Sequence, residues 1–357
     1  MSNPIFIARQ DTLDEKIIPA QLLNDYKLHG EYSFVFHTPE LWHKMCTHAY
    51  AANDQKVNGD ALEYVLTKAA PTGSYSLSNW MALLCDTAEQ AAQGLYAGIE
   101  TAGQLAQSSA AMAAVSNSET AMAAVSGSEM AMNSICSVKT ALRAFAASKH
   151  WNSTVKENDM AIAKAAVALA NSNEFSAISS CAEMAENSTA MSVLADSATA
   201  RTALMGSSYY GKYMQNDTMC IAKLVVGFAN LASAGYSSMA GVAADATAMN
   251  AVAASSTAMN AVAASTTAMD ALYARKKQMK GGSASKSGKF IILEISASNA
   301  FDTSKYGYVT LSDGSKPDWS SYLAKYAFFQ KYPKYATYMR NDTDSDDYIY
   351  YFDITNP

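Results

Sequence analysis

The sequence predicts a mainly α-helical fold: an elongated solenoid of short helices, with a small α+β module before it and a small β-rich module after it. Three observations carry this expectation. A ten-residue phrase recurs between residues 108 and 274; its composition is dominated by alanine, the strongest helix former; and strand-like runs rich in tyrosine appear only after residue 288. A fixed period of this kind is the mark of one small unit stacked many times.

Residues 1–88 read as the non-repetitive α+β module. Glu31 to His37 alternates in part as a strand does, and Thr38-Pro39 has the form of a helix start, with threonine as cap and proline at the first helical position. Ser76-Leu77-Ser78 precedes a second helical stretch at Trp80 to Leu84.

Residues 89–280 read as the helical shaft. Ala248-Met249-Asn250-Ala251-Val252-Ala253-Ala254 returns as Ala258-Met259-Asn260-Ala261-Val262-Ala263-Ala264 and again as Ala268-Met269-Asp270-Ala271-Leu272. The same phrase opens the array, with Met112, Met122, Met132 and Leu142 ten apart and Val115, Val125, Ile135 and Phe145 three residues after each. A spacing of three puts both residues on one helical face. Ten residues do not close a helix, however: at about 100° per residue a decad falls about 80° short of three turns. A continuous helix would carry the apolar face around its whole circumference.

Serine and threonine cluster at the joins, as in Ser126-Gly127-Ser128 and Ser255-Ser256-Thr257, where they suit the N-cap of a new helix. Each decad therefore reads as about two helical turns and a tight bend. The competing picture is a bundle of long helices with a wandering seam. In the middle of the array Trp151, Phe175, Tyr209, Tyr210, Tyr213 and Phe228 interrupt the rule, and the phase slips between Leu142 and Met191. That stretch reads as drift of a scaffold, or alternatively as a bend or docking surface.

Residues 281–288, Gly281-Gly282-Ser283-Ala284-Ser285-Lys286-Ser287-Gly288, read as a flexible linker. Residues 289–357 then change character. Phe290 to Ile295, Tyr306 to Leu311 and Tyr348 to Phe352 are strand candidates, and Trp319 to Met339 is open to helix, strand or both.

Composition narrows the function classes. The 357 residues carry a net charge of −6 and only 16% charged side chains, against about a quarter in ordinary domains. General nucleic-acid binding needs a basic stripe, which this balance disfavours. No apolar run of membrane-spanning length and no signal-peptide pattern is visible, so membrane insertion is not expected. Five cysteines, widely spaced and without C-x-x-C, read as small buried apolar residues.

The repeats of residues 245–274, and more loosely those of 108–147, resemble the decapeptide arrays of tailed-bacteriophage virion proteins, closest to tail fibres and receptor-binding fibres. The resemblance covers the array alone. It implies a virion component made in the host cytoplasm and assembled as a homotrimer, held to other virion proteins through residues 1–88, with its C-terminal tip directed at a host surface glycan or protein. The function expected is thus structural and adhesive. The alternatives are a head or tail decoration or connector protein without receptor binding, and a glycan-cleaving tip enzyme.

Within the tip, Trp319, Tyr322, Tyr326, Tyr335 and Tyr338 are the candidates for receptor contact, since such side chains give rigid area with a polar end. Some must instead form the module's core. Asp342, Asp344, Asp346 and Asp353 fall at positions 1, 3, 5 and 12 of a loop, the oxygen spacing that wraps Ca²⁺. Against calcium, Asp347 stands where the sharp turn wants glycine, and the competing reading is a solvated acidic turn. His37, His43, Cys46 and His48 are soft donors of the kind zinc uses, in no structural zinc spacing. No nucleophile elbow, P-loop or dinucleotide fingerprint is present, and no catalytic residue is assigned; no enzyme and no obligatory cofactor is expected.

Overall fold

The computed structural model describes residues 99, 101–282, 284–296, 307–317, 323–343 and 346–357. The elements expected within residues 1–88 lie outside them.

The decads fold as short helices. They run α1 Ala102–Gln107, α2 Ser109–Asn117, α3 Glu119–Gly127, α4 Glu129–Ser137 and α5 Lys139–Ala146. Further on come α6 Asp159–Leu169, α7 Cys181–Glu186, α8 Ser188–Asp196, α9 Ala198–Leu204 and α10 Thr218–Phe228. The clean repeats form α11 Met239–Ala244, α12 Ala246–Ala254, α13 Ser256–Ala264 and α14 Thr266–Tyr273. The joins are made by the expected chemistry: Ser108, Ser118, Ser128, Ser255 and Ser265 are extended N-caps, each accepting from the backbone N–H three residues on. Each ends one helix and begins the next, so a single residue makes the bend. Met112, Val115, Met122, Val125, Met249, Val252, Met259 and Val262 are all buried.

The expected elongated solenoid is not what these helices build. In a simple stack each unit meets only its neighbours. Here α1 packs on α4, α2 on α5, α10 on α13 and α11 on α14, and the chain divides into two compact units. The described part of the first ends at Glu183 and includes Gly206–Ser208; the second comprises Met184–Met205 and Tyr209–Pro357. Each unit has a helix enclosed on all sides. In the first it is α6, against α3, α4 and α5; in the second it is α10, against α8, α9, α11, α12, α13 and α14.

These two helices reveal an order behind the irregular middle of the array. Met160, Ile162-Ala163-Lys164, Val167 and Ala170-Asn171 recur 59 positions later as Met219, Ile221-Ala222-Lys223, Val226 and Ala229-Asn230. Asn171 and Asn230 both take the left-handed conformation, with φ of 59° and 58°, that ends a helix and returns the carbonyls at its C-terminus to amide donors. The start of α4 and that of α8, like those of α5 and α9, are displaced by the same step.

The second unit also contains a five-stranded antiparallel sheet, built from β1 Lys277–Lys280, β2 Ala284–Ser296, β3 Gly307–Leu311, β4 Ala336–Asn341 and β5 Tyr348–Asp353, with α15 Ala327–Lys331 between β3 and β4. The strand order is β1-β5-β2-β4-β3. The helical region therefore ends at Tyr273, and Lys277–Lys280 belongs to the sheet. The described residues of 281–288 are not a linker. Gly281 and Gly282 donate to Asp347 and Thr343 carbonyls, and Ala284 to Ser287 pair with Asn341 to Tyr338. Composition suggested flexibility, but these backbone groups have ladder partners.

One face of the sheet holds the module's core: Met279, Phe290, Ile292, Ile295, Val309, Leu311, Met339, Ile349 and Tyr351, with Phe328 of α15. Among the described residues no helix is long and apolar enough to cross a membrane.

Candidate functional site on the C-terminal sheet

Strand register divides the second face of the sheet into two halves. Side chains alternate along a strand, so those opposite the core residues share this face. Along β5 and the end of β2, Tyr350 and Glu294 meet Tyr273 of α14. The Tyr273 hydroxyl donates to Glu294 Oε2 at 2.5 Å, and its ring lies 6.2 Å from that of Tyr350. Burial and the Glu294 carboxylate push the Tyr273 hydroxyl up to about 12. This half is held to the helices.

The other half is open. Ser285 and Ser287 of β2, Tyr338 and Arg340 of β4, and Tyr308 and Thr310 of β3 lie side by side, because Ser285 pairs with Arg340 and Arg340 with Tyr308, while Ser287 pairs with Tyr338 and Tyr338 with Thr310. The serines and Arg340 are exposed, and the tyrosines and Thr310 are half-buried. The Tyr308 and Tyr338 rings have centroids 5.4 Å apart and planes inclined by 33°. Lys316 places its ammonium 4.4 Å from the centre of the Tyr308 ring, and the Arg340 guanidinium pairs with Asp342. Tyr335 and Lys289 border this area, where Lys289 Nζ donates to Asn250 Oδ1 of α12 at 3.1 Å.

The five aromatic candidates thus separate. Tyr335 and Tyr338 belong to this half or its border. Tyr326 does not, for it is buried, takes a left-handed φ of 70° and gives its hydroxyl to Asp270 of α14, while its ring meets Tyr273 edge-on at 5.7 Å. Burial and the hydrogen bond to Asp270 push its hydroxyl up to about 12. Its work is to hold α15 to α14. Trp319 and Tyr322 lie outside the described residues.

The chain matches no protein-family model and no curated protein.

The calcium loop is not assembled by its described members. Asp342 is taken by Arg340, and Asp346 is exposed. Asp353 is buried at the end of β5, accepting from Thr355 at 2.9 Å with Lys286 and Lys277 at 3.6 and 3.7 Å. Asp344 lies outside the described residues, as do His37, His43, Cys46 and His48. Among the described residues no three His, Cys, Asp or Glu gather as metal donors. The physical reason is the strand expected at Tyr348 to Phe352: it straightens the loop and carries Asp353 to the two lysines instead.

Lys316, Arg340 and the hydroxyls of Ser285, Ser287 and Thr310 were not singled out as receptor contacts. The signal for them is in the sequence as alternation. Tyr308-Val309-Thr310-Leu311 and Tyr338-Met339-Arg340-Asn341 put polar and aromatic groups on one face and apolar ones on the other. Which strands lie side by side is not in that pattern.

Proposed function

We propose that this protein is a structural and adhesive component of a tailed-phage particle, a fibre-like homotrimer that contacts its host through the C-terminal sheet. The observation that carries this reading is the half-face bearing Tyr308, Tyr338, Lys316 and Arg340, where rigid aromatic area and cations stand at the surface with no partner element over them among the described residues. The likeness of residues 245–274 to virion decapeptide arrays supplies the setting. The decad helices are the framework that carries the sheet, and α14 runs into β1 with only three residues between them.

Cosedimentation of the full chain with a panel of bacterial cells tests the adhesion. Retention on a susceptible host, abolished in a Tyr308→Ala/Tyr338→Ala variant of unchanged circular dichroism, is the expected result. Retention indifferent to that double substitution removes the face from the reading and favours a decoration or connector role. Sedimentation equilibrium tests the trimer, and a monomer at micromolar concentration rejects it.

A further inference from the structure

We infer that the open half of the sheet is a binding site for acidic glycans, sugar chains that carry carboxylates. The inference rests on the adhesive reading above and adds the chemistry of what is bound. Tyr308 and Tyr338, with centroids 5.4 Å apart and planes inclined by 33°, overlap in part and form an aromatic step. The negative face of a tyrosine ring attracts the polarised C–H groups on one side of a pyranose. Ser285, Ser287 and Thr310 stand beside that step on the same face and supply hydroxyls, each donor and acceptor, as sugar hydroxyls require.

Charge selects the kind of sugar. Lys316 and Arg340 flank the step, both exposed, and among the described residues only Asp342 pairs with either of them. This local excess departs from the rest of the chain. From Lys277 onward ten Lys and Arg stand against nine Asp and Glu, whereas residues 99–276 carry ten against twelve. The two exposed cations beside the step are thus what draws an anion to this face.

Other partners fit less well. Among the described residues the half-face presents no aliphatic side chain, so an apolar peptide segment finds nothing to bury against. Single-stranded nucleic acid stacks on aromatic rings too, but it binds along a continuous basic groove, which two flanking cations in a chain of net charge −6 do not make.

Affinity electrophoresis of the full-length protein tests this, using gels containing polygalacturonate, polysialic acid, or polygalacturonate whose carboxyls are methyl esters. The expected result is retardation by both acids and about tenfold weaker retardation by the ester. Tyr338→Ala weakens all retardation about tenfold, while Tyr338→Phe, which keeps the ring, stays close to wild type. Lys316→Gln/Arg340→Gln removes the preference for acid over ester. Equal binding of acid and ester overturns the charge argument and leaves the adhesive reading standing. Absence of retardation, with cell retention still dependent on Tyr308 and Tyr338, overturns the glycan and leaves the adhesive face with a protein receptor. Absence of both overturns the two together, and tighter binding to oligothymidylate than to either polyacid overturns the glycan in favour of a nucleic acid.

Discussion

Lys164 and Lys223 stand 59 residues apart and occupy the same position, six residues after the N-cap, on the two enclosed helices of this protein. Both side chains are essentially inaccessible. Lys164 Nζ donates to the Phe175 carbonyl at 3.1 Å and meets Glu129 at 3.0 Å. Lys223 Nζ donates to Ser192 Oγ at 2.8 Å and reaches the Ser233 carbonyl at 3.4 Å. In each case the ammonium ties its helix to an earlier helix and to the connection that follows. A buried ammonium is tolerated only when its protons are bonded, so the recurrence of lysine marks a recurring arrangement around it.

Replacing Lys223 separates shape from charge. Burial holds its ammonium below the ordinary lysine value, and the Asp196 charge only partly restores it. A depressed pKa means that the native state is penalised while the lysine is protonated. Stability is then regained as pH rises from the folded value towards about 10.4, the value of a free lysine. Lys223→Met, similar in volume, is expected to shift unfolding free energy by no more than about 1.5 kcal/mol at neutral pH. Lys223→Ala, which leaves a cavity and takes one of the two hydrogen bonds from Ser192 Oγ, is expected to cost about 3 kcal/mol. Urea denaturation measures both. The wild type should gain on the Met variant as pH rises towards about 10.4, and a difference that is flat with pH would sink the assignment.

Gly227 is required by contact, not by backbone conformation. A Cβ there would lie 2.0 Å from the carbonyl oxygen of Ala195 in α8, closer than any real side chain approaches. Its counterpart in α6 is Ala168, so the second enclosed helix packs more tightly than the first at this point. Gly227→Ala is expected to destabilise by about 3 kcal/mol or more. Gly235→Ala, with nothing within 4 Å, should be neutral or slightly stabilising. Equal melting temperatures for the two variants would refute the close approach.

Ser255 does more than cap. Its Oγ accepts from Ala258 N–H at 3.2 Å and donates to the Phe228 carbonyl at 2.9 Å, joining the start of α13 to the end of α10. Ser255→Ala should cost about 2 kcal/mol, roughly twice a bare cap. Ser108, which caps α2 by accepting from the Ala111 N–H at 3.3 Å, is the natural comparison. A Ser255 penalty no larger than that of Ser108→Ala would mean that the bond to Phe228 contributes nothing.

Asp353 confers acid sensitivity on the sheet. Burial alone would raise its pKa, but Thr355, the nearby Lys277 and Lys286, and the Asn356 N–H together hold it below the ordinary carboxylate value. A depressed folded pKa contributes stability above the unfolded value of about 3.9, and that contribution is lost as pH falls through the folded value. Near-ultraviolet dichroism of the tyrosines should therefore report loosening of the sheet below about pH 4. Asp353→Asn should weaken it at pH 7 by about 2 kcal/mol and flatten the acid limb. An acid limb unchanged in the variant would place the titration elsewhere.

Much of the local structure was legible in the sequence. The decad states its own bends, because ten residues cannot keep one helical face and a serine at each join offers the freed N–H groups an acceptor. The strands Phe290 to Ile295 and Tyr348 to Phe352 were legible from β-branched and aromatic runs, and Tyr308 to Leu311 from alternation. What is near in sequence is enough to decide these features.

Only the tertiary structure decided the rest. Whether decads stack in file or gather around an enclosed helix depends on which distant faces meet, and a period carries no information about that. The run from Gly281 to Gly288 has a linker's composition, yet Met339 and Tyr338 give it a ladder at Lys286 and Ser287, because hydrogen-bond partners distant in sequence override local freedom. Asp353 sits eleven residues after Asp342 by sequence, but its surroundings are Lys277 and Lys286, brought there by β1 and β2. Tyr326 and Tyr338 are alike in composition and differ in role, because α14 covers one and leaves the other at the surface. Local chemistry determines the elements; burial and register, which are properties of the whole unit, determine which side chains remain to meet a partner.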